Sequence, residues 1–302
     1  MNQPTDYAWS IHQIETVKAY AFILNTIREF FNHRGYTEVR LPSIHPFKIN
    51  EEIFELDFFD QPARLTSSNA LYLDVYTLQL QKAFSIQQCF RPEKIRSHRH
   101  LSEFDMLEVS TRGFSLEQAI TELSECLKFI VNKLANSPFS NLSPLDPKQI
   151  TENEFPLITY DQVEKQYSLS PDGLGNHETD IAANGPVFIT HFPKKQSSWR
   201  ARSTDETETH ARSFNLLLPN VGETADGNER QPDMEKIRTK LFAAGLETEL
   251  GWYFRLLPHS NVLISGFGMG IERLAMWLLG RTDIRDIHPI YRDTSFSELL
   301  PQ

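Results

Sequence analysis

The sequence predicts an α+β domain: a largely antiparallel β-sheet flanked by helices. Two long stretches, Glu15 to His33 and the one following Ser115, have the apolar spacing of amphipathic helices. Several short apolar runs between and after them read as strands. These strands cluster around single helices without the regular alternation that βαβ units require, which disfavours a doubly wound parallel sheet. With 302 residues, 40% of them hydrophobic, the chain can bury one large core.

Taken in order, the first helix places Val17, Tyr20, Ala21, Ile27 and Phe30–Phe31 on its apolar side and ends at Arg34–Gly35, where glycine suits a left-handed C-cap. Tyr36 to Leu41 alternates as a strand and stops at Pro42. Phe84 to Phe90 and Phe104 to Val109 form two strands joined by a cationic loop. Ser115 and Gln118 are spaced as a capping box. Leu116, Ala119, Ile120, Leu123, Leu127, Ile130 and Leu134 then form a stripe that reads as core. The Pro, Ser and Asn content of Asn136 to Asn153 predicts a loop, as does the Gly, Asn and Asp content of Leu169 to Gly185. Residues 137–185 are therefore expected to be a variable insertion within a single domain spanning 1–302. Pro186 to His191 and Phe214 to Leu218 are short strands, and Pro232 opens a helix ending near Gly245.

Net charge is −10, so any affinity for a nucleic-acid backbone has to be local. Cys89 and Cys126 are read as reduced core thiols rather than a disulfide framework. No run approaches ~18 apolar residues, and the N-terminus lacks a basic start followed by an apolar stretch. A soluble cytoplasmic protein without membrane contact is the expectation.

Three regions carry chemistry. In GFGMGIERLAMW, Gly266 to Trp277, alternate glycines remove the Cβ atoms that would keep a ligand from the backbone, and Arg273 follows at the start of a helix. Around this strand we expect a nucleotide site whose phosphates are held by arginine, with Gly268 and Gly270 close to the ligand. In FRPEKIRSHRHLSEFDMLE, Phe90 to Glu108, the residues Arg91, Lys94, Arg96, His98, Arg99 and His100 crowd into a loop that can wrap a polyphosphate, while Phe104 can stack on a base. In VGETADGNERQ, Val221 to Gln231, Glu223 and Asp226 can offer carboxylates to Mg²⁺, which is usually held by one or two carboxylates and substrate phosphates.

Together these regions resemble the three signature motifs of class II aminoacyl-tRNA synthetases, most closely the asparaginyl branch of the aspartyl, asparaginyl and lysyl group. The first motif, a dimer-interface helix and strand ending in proline, is similar to Arg28 to Pro42, with GYTEVRLP the telling part. The second is similar to Phe90 to Glu108, and the third to Gly266 to Leu279 with DIRDIHPIYR beyond it. The resemblance implies that Arg91 grips the α-phosphate of ATP and that His100 and Arg273 hold the γ-phosphate. It implies that Phe104 stacks on adenine against Arg273, that Glu93 lies near the acceptor side, and that Glu223 and Asp226 hold Mg²⁺. Arg91 and Arg273 are then the catalytic cations, and Arg230 contacts the substrate amino acid.

Two departures shape the functional expectation. The first motif begins within the first few dozen residues, where full-length members of the group carry an anticodon-reading OB-fold domain. In LTSSNALYLD, Leu65 to Asp74, Ser67 and Ala70 fall where the family has pocket glutamines, and counting back puts Lys48 where it has a glutamate for the α-ammonium group. A lysine there would repel an ammonium and attract a carboxylate or phosphate. The implied function is an AMP-forming ligase, a homodimer using ATP and Mg²⁺. It would adenylate aspartate, asparagine or a related acid and pass the acyl group to ammonia, an amine or another non-tRNA acceptor, outside translation. Free-standing archaeal asparagine synthetases and paralogs that aminoacylate a protein lysine have such a layout. The alternatives are a catalytically silent nucleotide-binding regulator and aminoacylation of a tRNA without anticodon reading.

Overall fold

The structure is a computed structural model that describes residues 10–47, 53–169, 173–205, 207–243, 245–256 and 262–294. Helix α1 (Ile11–His33) begins four residues before its predicted start, because Ser10 and Gln13 form a reciprocal capping box there. Its buried face is Ala19, Tyr20, Ile23, Ile27, Phe30 and Phe31, whereas Ala21 faces solvent. Gly35 follows with φ +77, the left-handed value expected after a helix end. The predicted strand beyond it shrinks to β1 (Thr37–Glu38), and the chain then forms β2 (Ile44–His45), β3 (Glu55–Asp57) and β4 (Pro62–Leu65). These last three make a small separate sheet in the order β2-β4-β3.

Helix α2 (Ala70–Leu80) leads into the hairpin of β5 (Lys82–Phe90) and β6 (Glu103–Arg112). Helix α3 (Leu116–Ala135) carries the predicted capping box at Ser115 and Gln118, and every residue of its predicted apolar stripe is buried. The two stretches expected to be loops are structured instead. They contain α4 (Pro147–Thr151), and α6 (Glu178–Ile181) follows β7 (Leu157–Thr159) and α5 (Tyr160–Gln166). In the first stretch the polar Asp146 acts as an N-cap, its side chain accepting the Lys148 backbone N–H at the start of α4. The remaining elements are β8 (Val187–Thr190), β9 (Ser213–Leu218), β10 (Gly222–Glu229), α7 (Met234–Ala243), α8 (Glu247–Leu256), β11 (Ile264–Gly270) and α9 (Ile271–Leu278). The stretch Val221 to Gln231, which carries Glu223 and Asp226, is mostly strand β10.

The main sheet runs β1-β5-β6-β11-β10-β9-β8-β7. Its interior pairings are antiparallel, with parallel pairs only at the two edges, β1 with β5 and β7 with β8. Helices α1, α3 and α9 pack with Phe84, Leu107, Val109, Phe214, Leu216, Phe267 and Met269 in the largest core. Successive side chains on a strand point to opposite faces. Glu108, Gly266, Gly268 and Gly270 therefore turn to the other face, where α2 stands over Ala83. Helices α7 and α8 close a second core against Phe47, Leu71 and Ile264. Both cysteines are buried free thiols, and no helix among the described residues is long and apolar enough to cross a membrane.

Candidate active site

Register across three neighbouring strands assembles the site. Asp226 on β10 pairs with Gly268 on β11, and Gly268 pairs with Glu108 on β6. A Cβ built on Gly268 would meet nothing closer than the Met106 sulfur at 3.7 Å, so this glycine leaves an open floor. Gly266 serves packing instead, since a Cβ there would stand 2.2 Å from the carbonyl oxygen of Val109.

Over this floor lies a cavity walled by Arg91, Glu93, Arg99, His100, Phe104, Glu223, Asp226, Gly268, Gly270 and Arg273. Every residue expected at the nucleotide end is therefore in one place. The Arg273 guanidinium donates to two backbone carbonyls, Arg99 O at 3.2 Å and Glu223 O at 2.7 Å, which fixes its plane. The Arg91 guanidinium stands 5.2 Å from the centroid of the Phe104 ring, and its buried Nε has no hydrogen-bond partner among the described residues. Phe104 thus faces Arg91 here. A buried, unpartnered donor costs free energy unless an acceptor arrives. Arg99, one of the cations of the loop expected to wrap a polyphosphate, also lines the cavity and is ion-paired with Glu178 of α6. Glu178 additionally accepts from the backbone N–H of Glu223 at 2.9 Å. Its signal was hidden because it lies in a stretch whose composition reads as loop.

Electrostatics divide the cavity. Burial comes first, followed by the cations of Arg273, Arg99 and Arg91, in pushing His100 down to about 4. His100 is therefore neutral near pH 7, with its Nδ1 beside the Ser97 hydroxyl. Burial and then the neighbouring Asp226 carboxylate push Glu223, in the wall of the same cavity, up to about 7, against the pull of Arg273. Asn215 donates to one Glu223 oxygen. Asp226 is the solvent-facing residue of an otherwise largely buried strand.

A second cavity adjoins the first, and Arg91, Met106, Asp226 and Gly268 lie in the walls of both. It is lined further by Ser68, Ala70, Glu108, Lys195, Trp199, Arg200 and Arg230. Ala70 is in the wall of this cavity. Ser67 is fully buried, and Ser68 takes the wall position, donating to Glu108. Lys48 lies outside the described residues. Arg230 reaches the cavity but is also held, donating to Asp74 Oδ2 at 3.2 Å and to Asn228 O at 2.9 Å. Asp74 and Arg200 were not anticipated: they lie far apart in sequence, and only the fold joins them.

The arrangement matches known proteins over nearly its whole length. The family model for tRNA synthetases class II (D, K and N) matches residues 11–293. The asparagine–tRNA ligase of Mycoplasmopsis pulmonis is 27% identical over 93% of this chain and 71% of its own length. The cytoplasmic asparagine–tRNA ligase of mouse is 28% identical over 90% of this chain and 52% of its own length. Among solved structures, asparaginyl-tRNA synthetase from Pyrococcus horikoshii complexed with asparaginyl-adenylate superposes with a TM-score of 0.88. That match is 26% identical and covers 96% of this chain and 70% of the other. The mostly antiparallel sheet, the cationic hairpin and the glycine-arginine strand–helix unit are thus those of a shared fold, and the chain belongs to the class II tRNA synthetases of the D, K and N group.

Proposed function

We propose that this protein is an ATP-dependent, AMP-forming ligase that activates the carboxylate of an amino acid or related acid. The observation that carries this reading is the joined pair of cavities with Arg91 in the shared wall. ATP occupies the first cavity, with Arg91 at the α-phosphate, Arg273 and Arg99 at the outer phosphates, and Phe104 against the base. His100, neutral at pH 7, donates a hydrogen bond rather than a charge. The acid occupies the second cavity. One carboxylate oxygen attacks the α-phosphorus, the bond to the β-phosphate oxygen breaks, and pyrophosphate leaves, giving an acyl-adenylate. Charge accumulates on phosphate oxygens during this step, so fixed cations rather than a nucleophilic side chain supply the stabilisation.

Glu223 and Asp226 are suited to hold Mg²⁺. Among the described residues no cluster of three or more His, Cys, Asp or Glu side chains is placed to hold a metal ion by itself. Two carboxylates on one cavity wall, Asp226 raising the proton affinity of Glu223, fit an ion that takes its other ligands from ATP and water. When bound, the ion would neutralise phosphate charge.

For the second half-reaction we propose a small amine or ammonia as acceptor, supported by a net charge of −10 that disfavours a phosphate-rich partner. The test is amino-acid-dependent ATP–pyrophosphate exchange over a panel of acids, followed by acyl transfer assays with ammonia, amines and total tRNA. Exchange with at least one acid is expected. ATP binding without exchange for any acid would replace this reading by a regulatory one, and charging of tRNA would overturn the acceptor assignment.

A further inference from the structure

Helix α6 brings a carboxylate to the back of the first cavity. Leu174 and Ala182, on either side of this helix, are buried with Val187, Phe192 and Leu217 in a core of their own, which seats α6 against β9 and β10. Glu178, its first residue, is buried behind the wall to which Arg99 and Glu223 belong. One oxygen, Oε2, accepts both from Arg99 Nη1 and from the Glu223 backbone N–H, the latter at 2.9 Å. Arg99 Nη1 also donates to Val221 O at 3.3 Å. Arg273 completes the circuit, donating from Nε to Arg99 O at 3.2 Å and from Nη1 to Glu223 O at 2.7 Å. Glu178, Arg99, Arg273 and Glu223 thus form a closed hydrogen-bonded ring.

The ring holds one side of each guanidinium and leaves the other open. Arg99 Nε and Nη2 and Arg273 Nη2 have no hydrogen-bond partner among the described residues. Gly222 lets the ring close: it starts β10 with φ +80, and a Cβ there would run into Arg99 Nη1 and Glu178 Oε2. Charge is arranged to match. Burial lowers the Arg273 guanidinium, the carboxylates of Glu223 and Glu178 oppose this, and the cations of Arg99 and Arg91 add to it. Neighbouring arginines repel one another, and Glu178 supplies a counter-charge from behind the wall, where it takes no space that a phosphate needs.

We propose that Glu178 is a positioning residue for the outer phosphates of ATP, a role that rests on the adenylation reading above. It aims the Arg99 guanidinium and fixes the Glu223 main chain, from which Arg273 also hangs, so that the open donors of both arginines are set before ATP arrives. Donors fixed in advance contribute most, because they need no rearrangement as charge develops on the phosphate oxygens. Glu178 itself touches no substrate. The stretch Leu169 to Gly185 thereby acts on the site although none of its described residues lines either cavity.

The test measures ATP–pyrophosphate exchange, and separately calorimetric binding of ATP with Mg²⁺, for wild type, Glu178→Ala and Glu178→Gln. Glu178→Ala removes a hydrogen bond to a charged group and should raise KM and Kd for ATP at least about tenfold, with KM for the acid changed by less than about twofold. Glu178→Gln, whose amide oxygen can take the place of Oε2, should recover part of the loss. Combining Glu178→Ala with Arg99→Gln should cost less than the sum of the two, because residues in one network do not act additively. An unchanged KM for ATP, equal rises for ATP and the acid, or full additivity overturns the proposal and leaves the ligase reading intact. Wild-type ATP binding without exchange for any acid removes the ligase reading alone, and the binding series then decides by the same criteria. Absence of ATP binding by wild type refutes both. If Glu178→Ala does not fold, Glu178→Gln carries the test, with a rise of at least about threefold in KM and Kd for ATP as the charge-assisted bonds become neutral ones.

Discussion

Arg273 is anchored through backbone carbonyls of Arg99 and Glu223, so its orientation depends on main chain rather than on another charge. Its remaining donors are positioned before ATP arrives, which is the condition under which electrostatic stabilisation is strongest. Arg273→Ala should lower pyrophosphate exchange by about 100- to 1,000-fold, or ~3–4 kcal/mol of transition-state stabilisation, while circular dichroism stays native. Near-wild-type turnover would show that this arginine does not face the phosphates. His100 makes a separate prediction through pH. Its value in the folded protein, about 4, lies below the ordinary 6.5. Between those two values the unfolded chain binds more protons, so this contribution to stability is present above pH 6.5 and is lost as pH falls through the window. In denaturant melts, the stability gap between wild type and His100→Gln should narrow from pH 7.5 to pH 5. A gap that widens would mean that the imidazolium form is favoured in the fold.

Strand β11 shows how one element separates stability from function. Phe267 and Met269 enter the core, and Gly268 between them faces the site. Gly266 sits against the backbone of β6, where an added methyl would meet the Val109 carbonyl at 2.2 Å, and backbone cannot move aside cheaply. Gly266→Ala should therefore cost at least about 1–3 kcal/mol in a thermal or denaturant melt. Two residues on, Gly268→Ala has ordinary contacts from 3.7 Å outward, so its melting temperature should stay near wild type while exchange activity falls as the cavity floor rises. Equal effects of the two substitutions on stability would show that the strand is not divided in this way. The alternation of glycines was visible in the sequence. Which glycine packs and which opens the site depends on the neighbour across the ladder, and a single strand does not reveal that.

Over the whole molecule, the sheet ends at β1, a two-residue edge strand with both residues exposed. The small sheet adds exposed apolar side chains, among them Ile44 at 40%, Phe58 at 45% and Phe59 at 84%. An open sheet edge and exposed aromatic side chains are each features that a second copy can cover. We therefore expect a homodimer through the Arg28 to Pro42 region. Light scattering at micromolar concentration checks this, and a monomer would refute it.

The sequence by itself determined the elements whose signals are local. The α3 stripe with its capping box, the hairpin bearing the cationic loop, and the glycine strand running into Arg273 are each set by spacing within a few residues, so pattern alone locates them. The family resemblance rests on those same stretches. Only the tertiary structure decided the rest. Residues 137–185, whose polar composition reads as loop, contribute an edge strand and three short helices, two of them capped by polar side chains, and they deliver Glu178 to Arg99. Asp74, Arg200, Arg230 and Tyr253 come from separate parts of the chain and meet as one buried charge cluster. Ion pairs between distant segments leave no periodicity in sequence. Their energies depend on burial and on which donors share an acceptor, and both are properties of the folded chain.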